Sequence, residues 1–171
     1  ARHPAMLVYL DNWLSSRPDM AATESMAEDG RRRRGLNENY ARELMELHTL
    51  GVDGGYTQND VREVARAFTG WSIDRPASEG RFLFRRGAHD PGEKTILGHK
   101  LDPAGYQLDG DRVIDGVVKH PSTARFVAQK LVRRFVADDP PGALVERVAN
   151  TYRKTEGDIR QMLRTILGSP E

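Results

Sequence analysis

The run Gly35–Trp71, GLNENYARELMELHTLGVDGGYTQNDVREVARAFTGW, constrains this chain most tightly, because nearly every boundary in it carries a signal. Gly51 supplies the left-handed residue that commonly follows a helix end, which predicts a first helix over residues 37–50. At about 100° per residue, Leu36, Tyr40, Leu44 and Leu47 share one stripe, and Ala41, Met45 and Leu50 widen it. An arc that wide suits a helix covered on more than one side. Glu38, Arg42, Glu46 and Thr49 form the opposite face, where the Glu38–Arg42 and Arg42–Glu46 spacings each support a pair of roughly 0.3–0.5 kcal/mol. In the second helix Thr57 is the N-cap, Asp60 completes a capping box, and Tyr56 and Val61 occupy the staple positions. Val61, Val64, Ala65, Phe68 and Trp71 then face one way. With Gly54-Gly55 as the turn, the expectation is an antiparallel helical hairpin.

Two residues break this division. Glu43 projects between Leu36, Leu47 and Leu50, and His48 lies near Leu44 and Ala41. A carboxylate in apolar surroundings needs a partner, a metal or a proton, since unpaired burial costs several kcal/mol. Either Glu43 pairs with an arginine elsewhere and His48 is a hydrogen-bonded core histidine, or the two belong to a site. Structural ion pairs and sites perturb such groups alike.

Three further segments extend the pattern: HDPGEKTILG at 89–98, HPSTARFVAQKLVRRFVADDPP at 120–141, and the ending GDIRQMLRTILGSPE. Together with the central run they resemble a bacterial family known only as "domain of unknown function 1800". The likeness covers nearly the whole chain and is weakest over 15–34. It implies a largely helical protein. Family members are usually much longer, so it also implies an internal or C-terminal part of a larger chain. Asn37, Glu38, Asn39, Arg42, Glu43, Glu46, His48, Thr49, His89 and Asp90 match the family's wording. The family has no established activity, so no catalytic role is carried over.

The 171 residues suffice for one domain with a full core, and the expected domain spans 1–171. A net charge of +1 gives no global attraction to nucleic acid or anionic membrane. The absence of cysteine excludes disulfides and thiolate metal sites. No stretch approaches the roughly 18 apolar residues of a membrane span. The opening ARHPAMLVYL lacks the layout of a signal peptide; with an export signal upstream still open, the compartment is not legible.

Pro4 opens a first helix, with Leu7, Leu10 and Leu14 on one side and Tyr9 and Trp13 close by. It is apolar almost all round, which predicts deep packing. Residues 15–34 lack periodicity and read as a long flexible loop. The loop carries Arg31, Arg32, Arg33 and Arg34, candidates for binding phosphate or an acidic partner, or simply a solvated basic run. Arg81–Arg85 and Lys94–Leu97 read as the strands of a β-hairpin insertion over 81–99, with His89 and Asp90 at its tip and 98–110 as a further loop. A short helix over 111–119 follows. Pro121 opens the next, with Ala124, Val127, Ala128, Leu131 and Phe135 inward and Arg125, Lys130, Arg133 and Arg134 outward. Leu144, Val148, Thr151 and Tyr152 mark another helix. Asp158 caps the last, whose stripe is Ile159, Met162, Leu163, Ile166 and Leu167. The fold class is mainly α: a helical bundle-like domain with a small β-hairpin insertion.

Phosphate-loop, dinucleotide, HExxH and GxSxG signatures are absent. Glu43 and Glu46 resemble half of a carboxylate metal site, but the Glu-x-x-His motifs of di-iron bundles are missing. The residues fit two readings. One is a non-catalytic helical module that packs on the remainder of a longer chain or on a partner protein. The other is a hydrolase-like or metal-assisted site with Glu43 as general base or ligand, His48 as proton carrier, and His89 and Asp90 closing it. Candidate binding residues are Asn37, Glu38, Arg42 and Arg31–Arg34. Neither a metal nor a cofactor is assigned. Nucleic-acid binding would need the two basic stretches to be contiguous.

Overall fold

The computed structural model describes residues 1–18, 35–103 and 105–171; the arginines at 31–34 lie outside them. The fold is mainly α with two small antiparallel hairpins. The helices are α1 (Pro4–Tyr9), α2 (Asn39–Glu43, continuing as a π-helix over Leu44–Thr49), α3 (Gln58–Ala67), α4 (Gln107–Lys119), α5 (Pro121–Phe135), α6 (Gly142–Lys154) and α7 (Ile159–Leu167). The strands are β1 (Trp71–Asp74), β2 (Arg81–Phe84), β3 (Lys94–Ile96) and β4 (His99–Leu101). Packing groups Ala1–Glu43 with Tyr56–Val113, and Leu44–Gly55 with Ile114–Glu171, as two compact units.

In the first unit, α1 starts where Pro4 predicts, with the His3 ring accepting from the Ala5 N–H. It is one-sided rather than packed all round: Leu7 is fully buried, while Tyr9 is 77% exposed. The α3 capping box forms in full. The Asp60 N–H donates to Thr57 Oγ1, and the Thr57 N–H donates to Asp60 Oδ2. Helix α3 buries Val61, Val64, Ala65 and Ala67 and closes on Phe68. Trp71, expected on the same helix, instead begins β1, because Gly70 (φ 81°) turns the chain first. The core aromatics Tyr40, Phe68 and Trp71 and the half-buried Phe82 then meet edge-on in sequence, at 5.0, 4.9 and 5.4 Å between centroids.

The single hairpin expected over 81–99 is two. Strand β2 pairs with β1 (Trp71↔Phe84), and β3 pairs with β4 (Ile96↔His99). The second hairpin closes through Leu97-Gly98, both at positive φ, the geometry of a two-residue I′ turn. Helix α4 also begins four residues before the predicted Asp111. Gly110 inside it admits Trp71, whose ring atom lies 2.4 Å from where a Cβ would stand.

In α2 the expected α-helix becomes a π-helix from Leu44. A π turn holds one more residue than an α turn, so the residues beyond it rotate off the predicted stripe. Leu47, expected inside, is 45% exposed. Thr49, expected outside, is buried and donates to the Leu44 carbonyl at 2.7 Å. The Leu50 N–H reaches the Met45 carbonyl at 2.7 Å, five residues back.

The second unit buries Ala124, Ala128 and Val132 of α5 against Leu144, Val145, Val148, Ala149 and Tyr152 of α6 and Met162 and Ile166 of α7. Phe135 and Leu167, both expected inward, are 55% and 79% exposed, since each lies at the last residue of its helix. The His120 and Asp158 side chains cap α5 and α7.

Candidate functional site

The polar residues that the first unit brings together lie between α3 and the segment 89–97. Asp60, Glu63, Arg66 and Thr69 recur every three residues, so they form one ridge on α3 and its exit. The ridge clasps that segment along its length. Asp60 Oδ1 accepts from the Leu97 N–H at 2.7 Å, and Glu63 Oε2 accepts from the Thr95 N–H at 3.3 Å. Arg66 grips Asp90 with Nε and Nη2 at 2.7 and 3.1 Å and Glu63 with Nη1 at 2.8 Å. Thr69 Oγ1 donates to the Arg66 carbonyl at 2.6 Å and accepts from the Asp90 N–H at 2.8 Å.

Lys94 opens β3 and is 1% exposed. Its ammonium donates to the carbonyls of Asp90 (2.6 Å) and Gly92 (2.9 Å) and to Asp109 Oδ2 (2.9 Å). An ammonium has three donors, so all are spent. His89, 2% exposed, places Nδ1 2.8 Å from the Thr69 carbonyl and Nε2 3.3 Å from Asp109 Oδ2. Both ring nitrogens therefore face acceptors. Arg66 and Lys94 thus stand against Glu63, Asp90 and Asp109, with His89 between the Thr69 carbonyl and Asp109.

Burial pushes the Asp109 carboxyl upward, but hydrogen bonds from His89 and Lys94 and their charges outweigh it and hold the group below the usual carboxylate range. In Asp90 burial is likewise overcome, by the Arg66 hydrogen bond, the Gly92 N–H and the charges of Arg66 and Lys94. The Arg66 guanidinium is pushed up, chiefly by its hydrogen bond to Asp90. Gly70 and Gly92 make the approach possible. A Cβ on Gly70 would stand 2.6 Å from the Arg85 carbonyl oxygen, and one on Gly92 2.6 Å from Arg66 Nη2.

The four candidate catalytic residues thus have different surroundings. His89 and Asp90 share this network, buried beside β3 rather than at a hairpin tip. Glu43 is half-buried at the last α-helical residue before the π segment, with no ion pair among the described residues. His48 is exposed within the π segment of the second unit. Among the described residues, no group of three or more His, Asp or Glu side chains is arranged to hold a metal.

Of the candidate binding residues, Asn37 pins local structure. Its Nδ2 donates to the Leu10 carbonyl at 2.9 Å, and its Oδ1 accepts from the Asn39 N–H at 2.9 Å. Glu38 and Arg42 both hydrogen-bond Gln58 at 2.7 Å, on the surface. Sequence reading missed Glu63, Arg66, Thr69, Lys94 and Asp109. The three-residue polar spacing from Asp60 to Thr69 was the available signal for the first three.

No helix among the described residues is long and apolar enough to cross a membrane. Neither the curated proteins nor the solved structures contain a match to this chain. One family model does match, over residues 1–171, and its description is "Protein of unknown function (DUF1800)". The whole chain belongs to that family.

Proposed function

We propose that this chain is a non-catalytic helical module, with a structural or interaction role toward the remainder of a longer protein or a partner protein. One observation carries the reading. The chemically capable residues of the 89–98 motif, His89, Asp90 and Lys94, spend their polar atoms inside the fold. A lysine with three acceptors has no lone pair to offer as nucleophile or base. An aspartate gripped by arginine is a poor proton acceptor. The motif then serves to lock the β3 segment onto α3, and function lies at the surface the lock supports.

A second reading keeps a hydrolase-like site with Glu43 as general base. It is favoured by the π-helix that begins immediately after Glu43, since such segments are frequent at functional sites. In it, His89 and Asp90, which belong to the same unit as Glu43, exchange their present partners for substrate.

Turnover separates the two. Model esters, phosphoesters, peptides and glycosides are assayed with the intact protein and with Glu43→Gln. The module reading expects no turnover above buffer, and a Glu43→Gln variant within about 0.5 kcal/mol of the parent in stability, since the change breaks no ion pair among the described residues. Turnover that Glu43→Gln removes while the fold is kept would establish the second reading instead.

A further inference from the structure

The π segment ends in a turn, Leu50–Asp53, that lies against α5 in the second unit. Between them is a cavity of about 580 Å³, within the size range of ligand pockets. Arg125, Lys130 and Arg133 line it, against one acidic group, Asp53. We propose that this cleft binds an extended acidic peptide segment that presents carboxylates on alternate residues. The proposal rests on the interaction-module reading and names the partner's chemistry.

Charge gives the ligand its sign. Lys130 Nζ is anchored to the Leu47 carbonyl at 2.8 Å, one of the carbonyls at the end of the π segment. Arg133 uses only Nε, toward the Asp138 carbonyl at 3.2 Å, and among the described residues its two Nη groups have no partner. Arg125 meets Glu146 at 3.5 Å in an exposed pair, of the kind worth little to stability. Both guanidinium groups therefore retain donors in the fork geometry that matches carboxylate.

Shape and stacking decide the class. Arg125, Gln129 and Arg133 follow at four-residue spacing, so they cover about 12 Å of α5. Extended chain rises about 3.3 Å per residue, with alternate side chains on one side. Carboxylates at positions i, i+2 and i+4 therefore fall along the same length. A single-stranded nucleic acid stacks its bases on aromatic faces, and Phe126 is the one aromatic side chain among the described residues that line the cleft. Lys130 sits over its ring at 4.7 Å from the centroid. The backbone of Gly51 (φ 83°) closes on Phe126, whose ring atom would be 2.6 Å from a Cβ there.

The test titrates the intact protein with a fluorescent peptide alternating glutamate and serine. A lysine-serine peptide, inorganic phosphate and a thymidine oligonucleotide serve as competitors. Arg125→Glu with Arg133→Glu should weaken the glutamate peptide by about 10-fold or more, equivalent to about 1.4 kcal/mol. The same charge change on the exposed face of α7, Arg160→Glu with Arg164→Glu, should weaken it by less than about twofold, the small loss expected where no contact is broken. Circular dichroism checks that both double variants fold. Equal loss in the two variants, absence of saturable binding, or stronger competition by the oligonucleotide or phosphate would overturn the proposal. Those outcomes leave the module reading standing, because only Glu43-dependent turnover removes it.

Discussion

Replacing Lys94 with methionine tests the lock at its centre. Methionine keeps the length of the side chain and removes the charge. The Asp109 carboxylate, whose side chain is 2% exposed, then keeps only the His89 contact on Oδ2. Its Oδ1 already lacks a hydrogen-bond partner. The carbonyls of Asp90 and Gly92 also lose the ammonium. Removing one member of a buried ion pair costs about 3–5 kcal/mol, most of it the penalty of the charge left behind. For a protein of this size that is a fall in Tm of roughly 6–20 °C. Urea unfolding at pH 7 reads it through tryptophan fluorescence, since Trp71 is fully buried in the same unit. Adding Asp109→Leu to Lys94→Met removes the stranded charge. The double variant should recover about 1–3 kcal/mol relative to the sum of the single changes. A loss below about 1 kcal/mol for Lys94→Met, or strict additivity in the double variant, would mean that Lys94 reaches water in solution and locks nothing. Such values belong to exposed pairs.

Two more outcomes follow from the same network. Gly105→Ala places a methyl carbon 1.8 Å from Asp109 Oδ1, so the backbone or the carboxylate must move; thermal unfolding should show a cost of about 1–3 kcal/mol. Asp90 and Asp109 titrate lower in the folded state than the roughly 3.9 of an unfolded aspartate. Between those values the unfolded chain binds more protons, so stability rises with pH. Their contribution is present above the unfolded value and is lost as pH falls through the folded ones, and urea midpoints in acid should show a flatter loss for Asp109→Asn than for the parent.

Local signals in the sequence were legible wherever the physics is local. The Thr57–Asp60 capping box, the Pro4 and Pro121 helix starts and the Asp158 cap each depend on a few neighbouring residues, and each forms. The π-helix was not legible, because a 100° wheel cannot show where a turn gains a residue; Leu47 and Thr49 consequently exchange sides. Strands at 81–84 and 94–96 were legible, but their pairing into two separate hairpins was not, for two reasons. Trp71 continues the apolar spacing of α3 past the point where Gly70 turns the chain. Leu97 adopts a positive φ that leucine seldom takes. The network was harder still. Lysine is rarely buried, and nothing local marks Lys94 as the partner of Asp109, which stands 15 positions on in a helix that begins earlier than its pattern suggests. Glu43, by contrast, stood out as a carboxylate on an apolar arc, an arc that the π turn breaks up.

The most direct measurement of the lock is amine reactivity, read residue by residue by mass spectrometry after brief acetylation of the native protein. Lys100, whose side chain is 73% exposed, is the internal reference. With its three hydrogen bonds in place, Lys94 should acetylate at least about 100-fold more slowly, since it reacts only when the segment opens. Acetylation of Lys94 at a rate close to that of Lys100 would contradict the account, and would put a reactive amine at an open site in the family's own motif.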